Sequence, residues 1–173
     1  MFAHEYAIYS FPTIELTEWI IDNFDLSNCI EIGAGNGVMA DYLGIKATDS
    51  KQQTENPETA ILYQLMGQPA ITYGENVEKL NAIEAIKKYK PDTVIAQWVT
   101  HIYDPDEPFR EGNIYGVDEQ YILDTTINYI FIGNESVHMH KPILEQRHCR
   151  IQKDWIISRA KYPEQNVIYL WSN

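Results

Sequence analysis

The chain has 173 residues, enough to bury a substantial core, and residues 1–173 are expected to form one domain. It carries 13 Lys and Arg against 25 Asp and Glu, a formal net charge of -12. That balance argues against nucleic acid, whose phosphates need clustered cations, and suits a soluble protein with a small-molecule or basic partner. With only two cysteines a reducing, cytoplasmic setting is expected; no apolar run reaches the ~18 residues of a membrane span and no basic-then-apolar start suggests a signal peptide.

Taken in order, residues 1–12 form an aromatic arm with Phe2, Tyr6, Tyr9 and Phe11, read either as a lid over a ligand or as a packed tail. Thr13 is an expected N-cap for a helix over 13–24, where Leu16, Ile20 and Phe24 repeat every four residues. The arm and this helix make up the N-terminal part, 1–26. A buried strand is expected over 28–34, with Cys29 in it as a small hydrophobe; Cys29 and Cys149 form no metal spacing. A short helix follows over 37–43, stopped by Gly44, then a strand over 45–48, a polar loop over 51–56 and a helix opened by Pro57. A third strand is expected over 70–73, ended by Gly74, and then a helix over 76–90. There Val77, Leu80, Ile83 and Ile86 step by three and Glu84 can pair with Lys88.

The fourth strand covers at least 93–96. The Asp- and Pro-rich loop from His101 to Gly116 is longer than the usual connection, and such loops are more often functional or mobile than inert. Asp118 is an N-cap candidate for a helix to Ile127, and 129–132 is a fifth strand ended by Gly133. Pro142 opens a helix towards Cys149. Strands over 155–158 and 167–171 have too short a link for a parallel crossover and are read as an antiparallel hairpin. The alternation of strands and helices predicts an α/β, Rossmann-like, seven-stranded and mostly parallel sheet, with helices on both faces and a C-terminal antiparallel hairpin.

The stretch Glu31-Ile32-Gly33-Ala34-Gly35-Asn36-Gly37 places a Gly-rich turn between a strand and a helix, an arrangement that exposes amides to a ligand. It lacks the Lys of a phosphate-binding P-loop. It also departs from the dinucleotide pattern Gly-x-Gly-x-x-Gly, because Val38 holds the third Gly position and Gly37 comes one residue early. Asp49 closes the second strand and Glu75 follows the expected third. Read locally, Asp49 could cap a turn and Glu75 could stabilise a helix start.

Together these features resemble the class I S-adenosylmethionine-dependent methyltransferases, over roughly residues 20–133. The resemblance implies S-adenosylmethionine as cofactor, over a loop containing Glu31, Gly33, Ala34, Gly35 and Gly37. It implies that Asp49 takes the ribose hydroxyls, Glu75 the adenine amino group, and Asn76 the ring. The fourth strand and its exit, from Asp92 through Gln97 and Trp98 to His101, resemble the stretch bordering the reacting methyl group.

Methyl transfer from a sulfonium needs alignment more than side-chain chemistry, and a general base only for an acceptor of high pKa. His101 is the candidate base, with substrate binding or loop capping as alternatives; His138 and His140 are weaker candidates, and no zinc spacing links them. The Asp/Asn-Pro-Pro-aromatic signature of exocyclic-amine methyltransferases is missing after the fourth strand. The expected acceptor is a small molecule or a group presented by a partner protein, with Tyr103, Phe109 and Tyr115 as apolar walls. Two other readings are a non-catalytic binding protein with this fold and an NAD-dependent oxidoreductase.

Overall fold

The computed structural model describes residues 6–173, so Phe2 of the expected arm lies outside the described residues. The chain enters on β1 (Ser10–Phe11) and helix α1 (Ile14–Asn23), whose start is capped as expected by the Thr13 side chain, which accepts from Leu16 N. Next come β2 (Cys29–Ile32), α2 (Val38–Leu43), β3 (Lys46–Asp49), α3 (Gln52–Glu55), α4 (Pro57–Leu65), β4 (Val77–Lys79), α5 (Ala82–Tyr89) and β5 (Thr93–Gln97). A long connection then leads to α6 (Glu119–Thr125), β6 (Asn128–Asn134), α7 (Glu135–His138), β7 (Cys149–Ile151), β8 (Ile157–Ser158) and β9 (Asn166–Ser172).

The main sheet has seven strands in the order β4-β3-β2-β5-β6-β9-β7. The first five are parallel and β9 runs antiparallel to both of its neighbours. This is the expected Rossmann-like α/β architecture. Side chains alternate between the faces. Val94, Ala96, Tyr129 and Phe131 pack with α5 and α6 on one side; Ile95, Ile130 and Ile132 pack with α1 and α2 on the other.

Two strands differ from the sequence reading. Residues 70–73 are not a strand, and the place of the expected third strand, at the sheet edge beside β3, is taken by β4, with Val77 opposite Ala47. The stepping Val77, Leu80, Ile83 and Ile86 is therefore split between a strand and a helix. The start signal is the capping box at Asn81, whose side chain accepts from Glu84 N while Glu84 accepts from Asn81 N. Glu84 is engaged there, and Lys88 pairs with Glu78 instead. At the C-terminus β9 lies between β6 and β7, and residues 157–158 pair with β1 in a separate two-stranded sheet. The helix expected towards Cys149 is only a 3-10 turn at Pro142–Glu145. Among the described residues, no helix is long and apolar enough to cross a membrane.

Candidate functional site

A cleft of about 720 Å³ opens at the C-terminal ends of the parallel strands, within the usual range of small-ligand sites, ~300–1,000 Å³. The chain runs from β2 outward to β3 and β4, then returns to the other side of β2 as β5. The gap between β2 and β5 is thus the topological switch point, where open α/β sheets bind ligands.

The floor is the glycine turn. Gly33 and Gly35 adopt φ of 58° and 56°, in the left-handed region. A Cβ at Gly33 would lie 2.5 Å from Val99 Cγ1, so the turn is packed tightly against the exit of β5. Ala34 N donates to Thr48 O at 3.0 Å, tying the turn to β3. Gly35 N donates to Asp49 Oδ2 at 3.0 Å, and Lys51 N to Asp49 Oδ1 at 2.8 Å. Asp49 is buried, and burial raises its pKa against these backbone donors. Asp49 therefore both shapes the turn, the local role open to it from sequence, and lines the cleft.

Glu31 is the second buried carboxyl of the floor. Its Oε2 accepts from Ala40 N at 3.1 Å, an amide at the N-terminus of α2, and its Oε1 accepts from Gln97 Nε2 at 2.8 Å. Burial pushes its pKa up to about 7, with the nearby Asp49 adding to the effect. The Glu31–Gln97 bond crosses the switch point. Gln97 Oε1 is buried and has no hydrogen-bond partner among the described residues. Such an orphaned acceptor costs about 1–3 kcal/mol unless a ligand or water supplies a donor.

Glu31, Gly33, Ala34, Gly35, Asp49 and Gln97 all line this cleft, and Gly37, Glu75, Asn76 and His101 do not. Gly37 is the N-cap of α2, with φ 72°, and packs against Asn76 and Val77. Glu75 and Asn76 precede β4 instead of following a strand, so they leave the ligand side of the sheet edge. Glu75 is exposed, and Asn76 Nδ2 donates to Gly37 O and Asp41 Oδ1. The residues that follow the third strand in space are Leu80, Asn81, Ala82 and Ile83, and they line the cleft. The capping box at Asn81 was the sequence signal that could have located them.

His101 turns away from the cleft. It is buried, and its Nε2 donates to Arg110 O at 3.0 Å. It braces the long connection, which is laddered by Ile102 N to Val117 O and Tyr103 N to Asn113 O, both 2.9 Å. Burial, then the charge of Lys141, lowers its pKa. The loop-capping alternative for His101 is the one the geometry matches. His138 is likewise buried, with Nδ1 against the Asn134 backbone, and burial pulls its pKa down to about 3. Of the aromatic residues expected as walls from this connection, Tyr115 lines the cleft while Tyr103 and Phe109 do not.

Sequence reasoning named the arm but not the group it joins. Tyr9, Tyr63, Tyr73 and Trp98 all face the cleft. Trp98 takes φ 56°, unusual for a bulky residue, and its backbone N–H donates to Ile132 O at 2.9 Å. Ile71 lies over Gly35, and the 68–74 segment is held by Ile71 N donating to Gln53 Oε1 at 3.2 Å. Among the described residues, no group of three or more His, Cys, Asp or Glu side chains converges as a metal site.

No family model matches this sequence, and no curated protein does. Among solved structures, the chain is similar to a Thermoplasma acidophilum protein at 18% identity, with 95% of this chain and 89% of that one covered and a TM-score of 0.45. It is also similar to an rRNA methylase from Streptococcus thermophilus at 11% identity, covering 91% and 93%, with a TM-score of 0.49. A SAM-dependent methyltransferase from Agrobacterium tumefaciens gives 10% identity, 93% and 62% coverage, and a TM-score of 0.38. Identities and scores this low leave the functional reading to the site.

Proposed function

We propose that this chain binds S-adenosylmethionine in the cleft and transfers the methyl group to an acceptor entering beside Trp98. What supports the reading is one coincidence: the glycine turn Gly33–Gly35 and two buried carboxyl groups, Glu31 and Asp49, meet at the switch point of a parallel sheet. A cofactor carrying an ammonium group and ribose hydroxyls fits that donor set. Glu31 offers a desolvated carboxyl to the cation, and Asp49 retains lone pairs for hydroxyls beyond those used by Gly35 N and Lys51 N. The orphaned Gln97 Oε1 supplies an acceptor for a further N–H or O–H.

The base end falls to the turn after β4. Asn81 uses its Oδ1 in the capping box, and its Nδ2 has no partner among the described residues, leaving it for a ring acceptor. The bound cofactor supplies an electrophilic methyl on a sulfonium. The protein's part is to hold nucleophile and methyl carbon in line, with water excluded by Tyr9, Tyr63 and Trp98. No base is assigned: His101 donates its Nε2 proton to Arg110 O. A small molecule, or a group on a partner protein, remains the proposed acceptor, and the cleft's size accommodates the former.

Calorimetric titration with S-adenosylmethionine, S-adenosylhomocysteine and NAD tests this. Binding of the first two is expected, and Asp49→Ala should weaken it by ~1.5–3 kcal/mol, about 10- to 150-fold. Preference for NAD overturns the reading, and undiminished affinity in folded Asp49→Ala removes that residue from the site. Incubation with an acceptor pool then reads out S-adenosylhomocysteine. Binding without product favours the non-catalytic alternative.

A further inference from the structure

We propose that Tyr9 is a positioning residue that closes the acceptor end of the cleft, held in place by Arg159, and that a bound cofactor leaves only when this joint opens. The inference rests on the cofactor reading above and extends it to a residue outside the glycine turn and strand ends.

Tyr9 meets three separate parts of the fold. The Arg159 guanidinium lies 3.6 Å from the centre of its ring. The Trp98 ring, at the exit of β5, stands 6.0 Å away at 47°. The Tyr63 hydroxyl of α4 faces Tyr9, and burial, then this neighbour, holds that phenol up to about 12. Arg159 stacks on Tyr9 while forming no ion pair among the described residues, in a protein of net charge -12. Among the described residues its buried Nη1 has no partner, and its Nη2 reaches only Gln68 Oε1 at 3.5 Å. A cation placed so has the Tyr9 π-face as its main contact, and such contacts gain strength when desolvated.

The joint is anchored on one side only. Arg159 N donates to Tyr9 O at 3.0 Å, and Ser10–Phe11 pairs with Ile157–Ser158. That segment is fixed to the sheet through Asn166, whose Nδ2 donates to Ile156 O at 2.7 Å. On the other side, Tyr9 meets Trp98 ring to ring and faces the Tyr63 hydroxyl, and among the described residues no backbone hydrogen bond joins it to β5 or α4. The arm can therefore part from β5 and α4 while keeping its hold on β8. At its N-terminal side, Ala7 is buried at φ 52°, a left-handed conformation that a non-Gly residue adopts at a cost.

Stopped-flow measurement of S-adenosylhomocysteine release from wild type, Tyr9→Phe, Tyr9→Ala and Arg159→Gln separates the outcomes. Release should be about tenfold faster in Tyr9→Ala, several-fold faster in Arg159→Gln and near wild type in Tyr9→Phe, which keeps the ring. Association should be unchanged or faster, and the ligand-free melting temperature should not follow the release rates. Acrylamide quenching of tryptophan emission in the ligand-free protein should rise in Tyr9→Ala as Trp98 is uncovered. Equal release rates in wild type and Tyr9→Ala overturn the gate while leaving cofactor binding intact. Absence of binding to wild type overturns both.

Discussion

Glu31 ties stability to pH at a single side chain. Its pKa of about 7 lies above the ordinary 4.5, a difference of about 3 kcal/mol. The folded state then holds the proton more tightly than the unfolded state. The stability this gives is full below pH ~4.5 and is lost as pH rises through about 7. Glu31→Gln removes the titration and keeps an acceptor for Ala40 N. Gln97 can also reverse its amide, so that the orphaned Oε1 accepts from the amide introduced in place of the carboxyl. The melting temperature of Glu31→Gln relative to wild type should rise between pH 5 and pH 8, while affinity for S-adenosylmethionine falls; parallel stability profiles would count against a buried ionisable Glu31. Gly33 tests sterics in the same turn. Gly33→Ala drives a methyl into Val99 and adds about 1–2 kcal/mol of left-handed backbone strain. Val99→Ala in the same chain should restore the part of the melting temperature lost to the clash and none of the part lost to strain. Equal melting temperatures for the single Gly33→Ala and the double variant would mean that contact with Val99 is not what excludes a side chain.

At the scale of elements, much of the sheet was legible because strand and helix signals agreed locally. Thr13, Gly44, Pro57 and Asp118 mark element ends that the structure keeps. The errors fell where tertiary partners decide. Residues 70–73 have β-forming composition, but no strand edge is left for them, because Val77 fills the apolar niche formed by Ala34, Ala40 and Ala47. That shift carried Glu75 and Asn76 away from the cleft, so the floor of the cleft was legible in the glycine turn while the residues after β4 were not. Residues 155–158 lie at a distance from β9 that suits a hairpin, but the arm captures part of them as β8. For His101 the sequence leaves base, substrate binding and loop capping open, because a strand end at the mouth of a cleft says nothing of which way a ring turns. Its contact with Arg110 makes it a brace for the 101–117 connection. His101→Ala should speed amide exchange at Tyr103, Asn113 and Val117, whose N–H groups donate to carbonyls across that connection. Unchanged exchange there would remove the brace.

Over the whole molecule, the two ends of the parallel sheet are held by different means. At the β4 side the contacts are small and apolar: Val77 packs on alanines, and the Lys79–Glu55 ion pair is exposed. At the β6 side, beneath the long connection, lies a charged pair that water does not reach. Lys141 Nζ donates to Glu119 Oε2 at 2.7 Å, and both side chains are 1% exposed. Tyr129 OH donates to Glu119 Oε1 at 2.6 Å, and Lys141 stands 4.3 Å from the centre of the Phe131 ring. This network joins the start of α6, the middle of β6 and the turn before β7, and the charge of Lys141 reaches both His101 and His138. Burial alone lowers the Lys141 pKa, and Glu119 opposes that. Pairs of this kind are costly to break singly, because the partner is left charged and dry. Lys141→Met should therefore destabilise by about 3–5 kcal/mol. Adding Glu119→Gln removes the stranded charge while keeping an acceptor for Tyr129, and should recover a large part of the loss. Chemical denaturation of the two single variants and the double variant gives the coupling directly. Additive losses would mean the pair is not coupled, and the 101–117 connection would then owe its position to its own hydrogen-bond ladder.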